Sequence, residues 1–148
     1  MKVVVQRCSE ASVLINNSEK RIINKGFVVL LGITNGDSID DIDYLVNKII
    51  NLRIFEDNDN KLNLSIKDVN GELLIISQFT LYANTKKGNR PSFENSMKYD
   101  EASKLYDLFI EKISHTGVIY KTGEFGSDMK VSLINDGPVT IIIDSIEK

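Results

Sequence analysis

Apolar and β-branched residues fall in short runs early in the chain, at Val3 to Val5, Ala11 to Ile15 and Phe27 to Ile33, broken by turn residues such as Asn16-Asn17-Ser18. Runs of this length and composition predict three strands that begin a sheet. The period then changes. Ile39, Ile42, Val46, Ile49 and Ile50 fall on one face at helical spacing, and Ser38 followed by Asp41 has the spacing of a capping box. Asp40 and Asp43 complement the helix dipole, so a helix is predicted from Ser38 to about Asn51. A second helix is predicted from about Lys98 to Ser114, with Ala102, Leu105, Phe109 and Ile113 along its buried stripe and Gly117 as its stop. Leu52 to Phe55, Leu73 to Ile76, Val118 to Tyr120, Val131 to Ile134 and Val139 to Ile143 read as further strands. Strands outnumber helices and do not alternate with them regularly. That pattern predicts an α+β domain rather than a doubly wound sheet.

Composition narrows the picture without naming a chemistry. At 148 residues, with no repeat, low-complexity run or linker, the chain is expected to form a single domain over 1–148. Hydrophobic residues at 42% and charged residues at 26% are ordinary for a globular fold. One cysteine, Cys8, and one histidine, His115, cannot make an internal disulfide or a Cys/His zinc site. No apolar stretch approaches the length of a membrane-spanning helix, and the first seven residues hold too short an apolar run for a signal peptide. The expectation is a soluble protein of a reducing, cytoplasmic compartment. A net charge of −3 argues against a domain that coats duplex nucleic acid. The local exception is Lys86, Lys87 and Arg90, which by charge alone form a solvated loop.

The familiar catalytic kits are missing. No HExxH, GxGxxG or GxxxxGK pattern occurs. His115 sits at a predicted helix C-terminus, where a cation meets the dipole favourably, and Cys8 lies in an apolar strand with nothing beside it to activate a thiol. The acidic run from Asp57 starts like a calcium loop but has Leu62 where glycine belongs and Asp68 where glutamate belongs, so calcium is rejected and no metal is expected. Glu124 and Asp128 stand at helical spacing without a partner to tune them apart. What remains is polar residues at the ends of apolar strands. Ser77-Gln78-Phe79-Thr80 follows Leu73 to Ile76, where backbone donors leaving the core could form an oxyanion site, or simply a polar turn. Asn135-Asp136-Gly137-Pro138-Val139-Thr140 reads as a turn between two β-branched strands.

Taken together, Ser77-Gln78-Phe79-Thr80-Leu81 and Asn135 to Thr140 closely resemble the two signature motifs of the D-aminoacyl-tRNA deacylase family. Gln6-Arg7, Ala11-Ser12-Val13, Leu30-Leu31-Gly32, Arg53-Ile54-Phe55, Arg90-Pro91-Ser92-Phe93 and Thr122-Gly123 resemble further family positions in family order, over nearly the whole chain. The resemblance implies a barrel-like, mostly antiparallel or mixed sheet with two main helices. It implies a homodimeric hydrolase, without cofactor, that cleaves the ester between a D-amino acid, or glycine, and the 3′-terminal adenosine of tRNA. It further implies a cis Gly137-Pro138 bond that reaches into the partner's site, where an L side chain collides with backbone. Ser77, Gln78, Phe79 and Thr80 would form the opposite wall, with Thr80 as a nucleophile or the tRNA's own 2′-hydroxyl activating water. Lacking a visible base beside Thr80, the second mechanism is favoured. Ala102, Phe125 and Met129 resemble residues lining the substrate pocket, although Ala102 and Met129 are equally core contacts. Lys86, Lys87 and Arg90 would meet acceptor-stem phosphates. Two other readings stay open: a non-catalytic module that binds a nucleic-acid end or protein, and another ester or amide hydrolase on the same scaffold.

Overall fold

The computed structural model describes residues 1–147; the last residue of the expected 1–148 domain lies outside them. Its frame is a six-stranded mixed sheet. Strand β1 (Lys2–Ile15) is its spine. The first half of β1 pairs antiparallel with β3 (Gly26–Gly32), and the second half pairs antiparallel with β2 (Glu19–Ile23). On its other edge β1 pairs along its length with β8 (Met129–Asp144). Beyond β3 lie β6 (Glu72–Ser77) and β7 (Ile119–Thr122), both parallel to their neighbours. β2 and β7 are tied across the remaining gap by Arg21, whose Nη1 donates to the Thr122 carbonyl at 2.7 Å. The sheet therefore curls into a nearly closed barrel.

β3 and β6 read as unbroken apolar runs because both of their faces are buried. Phe27, Val29, Leu31, Leu73 and Ile75 face the helices α1 (Ile39–Asn51) and α2 (Tyr99–Ser114), with Val3 and Val5 beside them. Val28, Leu74 and Ile76 face the barrel interior with Val13, Ile15 and Ile23. Each such fully buried side chain contributes about 1.5–3 kcal/mol. Ser38 caps α1 as its spacing implies: its N–H donates to Asp41 Oδ2 at 2.8 Å. α2 ends at Ser114, with His115 as its C-cap and Gly117 at positive φ just beyond. Among the described residues no helix is long and apolar enough to cross a membrane.

Several local expectations are corrected. Val3 to Val5 and Ala11 to Ile15 are one strand, irregular around Cys8 where its register to β8 shifts. β2 and β5 (Leu62–Leu64) were not anticipated, because Glu19-Lys20-Arg21 and Lys61-Leu62-Asn63 carry little apolar alternation. Leu52 to Phe55 is not a strand: only β4 (Phe55–Glu56) pairs, against β5. Leu52 caps α1, and the Ile54 carbonyl is taken by the Arg7 side chain at 2.8 Å instead of by a strand neighbour. Ile39 is 51% exposed at the start of α1, and Tyr106 takes the buried place on α2 expected of Leu105. Glu124 and Asp128, noted for their spacing alone, flank a turn, with Glu124 accepting from Ser127 Oγ at 2.8 Å. The expected turn at Asn135 to Thr140 lies inside β8, which runs unbroken from Met129 to Asp144.

Candidate active site

The parallel strands β3 and β6 end side by side, and an open sheet of parallel strands leaves a crevice beyond their carboxyl ends. Here that crevice is a cavity of about 450 Å³. Leu31 and Ile33 from the end of β3 and Ser77 from the end of β6 form its base. The last bond of this pairing runs from the Gln78 N–H to the Leu31 carbonyl at 2.7 Å. The chain then tightens into a 3₁₀ turn, Phe79–Tyr82. Leu81 is the first residue of that turn to donate back, to the Gln78 carbonyl at 3.2 Å. The N–H groups of Phe79 and Thr80 come before it and have no carbonyl within the turn. The Gln78 side-chain amide donates to Thr80 Oγ1, which orients the hydroxyl along the same wall.

Aromatic rings close the cavity on two sides. Phe79 is 58% exposed and meets Phe93 edge-on at 5.0 Å between centroids. On the far side Phe125 lies between Tyr99, at 5.2 Å, and Tyr106, at 5.4 Å. Tyr106 is buried and donates its hydroxyl to the Ile75 carbonyl at 3.3 Å; burial pushes that phenol far above its ordinary range, so it stays protonated. Gly126 leaves room for the Tyr99 ring, since a Cβ there would stand 2.5 Å from it. No carboxylate, imidazole, ammonium, guanidinium or thiol group lines the cavity among the described residues. Its chemistry must come from backbone donors, hydroxyls and apolar walls, acting on charge that develops in a bound molecule.

Gly137 and Pro138 stand elsewhere. Gln6 pairs with Thr140 and Cys8 with Asn135, so the four residues 136–139 bulge opposite Arg7 alone. The Gly137-Pro138 peptide bond is cis, and Gly137 has φ +123°. Arg7, only 3% exposed, holds the base of this tip: Nε donates to the Asp136 carbonyl at 3.0 Å and Nη1 to the Ile54 carbonyl at 2.8 Å. The Val139 N–H donates to Asn135 Oδ1 at 3.1 Å, closing the bulge. The tip itself is exposed and does not line its own chain's cavity. Arg7 pairs with Phe27 on β3, four residues before Leu31 at the cavity, roughly 13 Å along the strand.

Comparison with known proteins gives this geometry a lineage. Residues 4–144 match the family model described as D-Tyr-tRNA(Tyr) deacylase. The chain belongs to that family. It is 63% identical over 145 residues to a D-aminoacyl-tRNA deacylase of Finegoldia magna, covering 98% of each chain. It is 52% identical to one of Clostridium perfringens, covering 98% of this chain and 97% of that one. Among solved structures, the c-Myc DNA Unwinding Element Binding Protein superposes with a TM-score of 0.90 at 40% identity, covering 97% of this chain and 98% of that one. A probable eukaryotic D-amino acid tRNA deacylase shares the fold, with a TM-score of 0.82 at 19% identity, covering 96% and 97%.

Of the residues singled out from the family signatures, Ser77, Gln78, Phe79, Ala102 and Phe125 line the one cavity, and Thr80 adjoins it through Gln78. Ala102 does so while also belonging to the core facing the helices. Met129 does not line the cavity; it is partly buried against the barrel interior, its sulfur next to Gly123. Lys86, Lys87 and Arg90 are exposed on the loop after the 3₁₀ turn, whose stem is closed by Asn84 and Ser92 exchanging backbone bonds of 2.8 and 3.0 Å. That stem leads directly into Phe93 at the cavity wall. Ser96, Met97, Tyr99 and Gly126 also line the cavity and carried no signal that isolated them from an ordinary loop and helix start. Among the described residues no three His, Cys, Asp or Glu side chains cluster as a metal site would require.

Proposed function

We propose that this chain hydrolyses the ester joining a D-amino acid, or glycine, to the 3′-terminal adenosine of tRNA, sparing the L ester. The observation that carries the reading is the 3₁₀ turn at the cavity wall, where the Phe79 and Thr80 N–H groups have no partner in the turn and no acid–base side chain stands beside them. Such a site suits a substrate that already holds a reactive bond. The aminoacyl ester needs its carbonyl oriented and the negative charge on its oxygen stabilised, and two backbone donors supply both. The cavity lies within the size range of pockets for small organic groups, and its aromatic walls suit a terminal adenosine.

In this reading a water oxygen bonds to the ester carbonyl carbon, and the carbonyl oxygen takes up the charge against the Phe79 and Thr80 amides. The vicinal 2′-hydroxyl of the terminal ribose takes the water proton as the attack proceeds and passes its own proton to the 3′-oxygen. The bond to the 3′-oxygen then breaks, the 3′-oxygen leaves protonated, and the free amino acid and tRNA separate. Thr80 Oγ1 serves in position and not as a nucleophile, because no acid–base side chain lines the cavity it adjoins. Gly137 and Pro138 come from a second copy of the chain. Their carbonyls accept from the substrate's α-amino group, and an L side chain meets that backbone while a D side chain points away. The exposure of the tip, its anchoring by Arg7 and its absence from its own cavity support this placement. Phe125 and Ala102 face the adenosine, Met129 has no part in that wall, and Lys86, Lys87 and Arg90 meet acceptor-stem phosphates. The work belongs in the cytoplasm, where aminoacylated tRNA circulates.

The test is release of amino acid from matched D-tyrosyl-, L-tyrosyl- and glycyl-tRNA. Rapid loss of the D and glycyl esters with the L ester spared is expected. Equal rates on D and L would leave an esterase without a chiral gate, and binding without release would leave a non-catalytic module.

A further inference from the structure

We propose that Ser96, which no signature motif contains, is a positioning residue for the hydrolysis; the inference rests on the deacylase reading above. Its Oγ donates to the carbonyl oxygen of Phe79 at 3.0 Å. That carbonyl and the N–H of Thr80 belong to one planar peptide unit, and in a trans unit they point in opposite directions. Holding the oxygen therefore fixes the rotation of the plane and the direction in which the Thr80 N–H leaves it. A hydrogen bond accepted at the oxygen also polarises the unit and strengthens the N–H as a donor, by an amount estimated at about 10–30% per bond.

Ser96 is itself held from the other side of the cavity. Its N–H donates to the Phe93 carbonyl at 3.0 Å, and it pairs with Thr34 in an isolated bridge. The next residue, Met97, donates to the Ile33 carbonyl at 3.1 Å, and Thr34 Oγ1 donates to the Asn95 carbonyl. Residues 93–97 are thus stapled to the end of β3, whereas the turn carrying Phe79 and Thr80 hangs from the end of β6. The Ser96 hydroxyl hydrogen-bonds one to the other, beside the edge-on contact of Phe79 with Phe93. It spans the cavity mouth without titrating and without adding a charge. A site that relies on backbone donors depends on their aim, and here the aim is set by one hydroxyl on a separately anchored segment.

The experiment compares wild type, Ser96→Ala and Ser96→Thr on D-tyrosyl-tRNA under single-turnover and steady-state conditions. Affinity is measured separately for a D-tyrosyl-adenosine analogue with a 3′-amide link. Removing one neutral hydrogen bond is expected to lower the hydrolytic rate of Ser96→Ala roughly threefold to tenfold. KM, affinity for the amide analogue and Tm should stay near wild type, and Ser96→Thr should recover most of the rate. A higher KM or weaker analogue binding at an unchanged rate would overturn the proposal, as would a Ser96→Thr rate no better than that of alanine. If wild type itself releases no amino acid, the deacylase reading fails. If wild type is active and Ser96→Ala equals it, only the role of Ser96 fails.

Discussion

The Ser77-to-Thr80 wall and the Gly137-Pro138 tip are built in opposite ways. The wall grows from β6, a strand buried on both faces, and presents backbone donors as the chain leaves the core. The tip is a bulge on β8, exposed at its end, and its position comes from one buried arginine side chain bonded to two carbonyls. The wall has a cavity before it, and the tip does not line that cavity. A donor array rooted in the sheet and braced by the Ser96 hydroxyl can stabilise charge without a titrating side chain. A backbone tip can only exclude or admit a side chain when something else holds the substrate. In the proposed function the two regions complement each other.

Disturbing the tip should have the largest effect. Gly137→Ala places a Cβ 2.8 Å from Val139 Cγ2 and 3.0 Å from Arg7 Nη2, at a φ of +123° that L residues rarely adopt. The tip must shift, and a displacement near 1 Å is expected to lower the D-ester rate by about 100-fold while leaving the apolar cavity able to bind an adenosine analogue. Equal losses of rate and of analogue affinity would show that tip and wall are not separable. Arg7→Met comes next. It leaves the Ile54 and Asp136 carbonyls without their charged donor, and each such bond is worth about 1.5–3 kcal/mol. Urea denaturation should show a loss of about 3 kcal/mol or more, the low end for two such bonds, and the surviving folded protein should discriminate D from L less sharply. The ion pairs of Arg7 with Glu56 and Asp136 add little to this figure, since both carboxylates are about half exposed.

Smaller effects sharpen the picture of the wall and its approach. Replacing Lys86 and Lys87 with alanine should weaken tRNA binding and make the slope of log affinity against log salt shallower by about 2. An unchanged slope would return both lysines to the role of a solvated loop. Thr80→Ala removes the hydroxyl and keeps the N–H, so the D-ester rate should fall by less than about tenfold. Loss of nearly all single-turnover rate with binding intact would instead make Thr80 the nucleophile. Cys8 should matter least. Burial pushes its thiol up to about 11, so at neutral pH it stays protonated and should resist alkylation in the folded state. Because the folded value lies above the unfolded one, the stability linked to this group is complete below about pH 8.5 and is lost as pH rises through about 11.

How much of this was legible in the sequence depended on whether a residue's role is local. The capping box at Ser38, the apolar runs of β3 and β6 and the polar exit at Ser77 are local patterns, and the structure has them at those positions. The strand β2 was not legible, because Glu19, Lys20 and Arg21 pair through their backbone and through a long-range bond to Thr122 that no short window contains. The segment Leu52 to Phe55 looked like a strand for the converse reason: its apolar residues pack inward, but its Ile54 carbonyl is bonded to an arginine 47 positions away. At the site, aromatic and hydroxyl groups from residues 93–99 are brought to the wall by long-range bonds to Ile33 and Thr34. Their sequence offers no periodicity that marks them as such.

In the proposed dimer a working site combines the cavity of one subunit with the tip of another. Ala102→Phe fills the cavity and Gly137→Ala displaces the tip, so each variant alone should be inactive as a homodimer. The most direct measurement is D-tyrosyl-tRNA hydrolysis by an equimolar mixture of the two, unfolded and refolded together. Random pairing gives heterodimers in which one site carries both changes and the other carries neither, so activity should return to about a quarter of wild type. Activity that stays at the level of the separate variants would contradict the account and place cavity and tip in the same subunit.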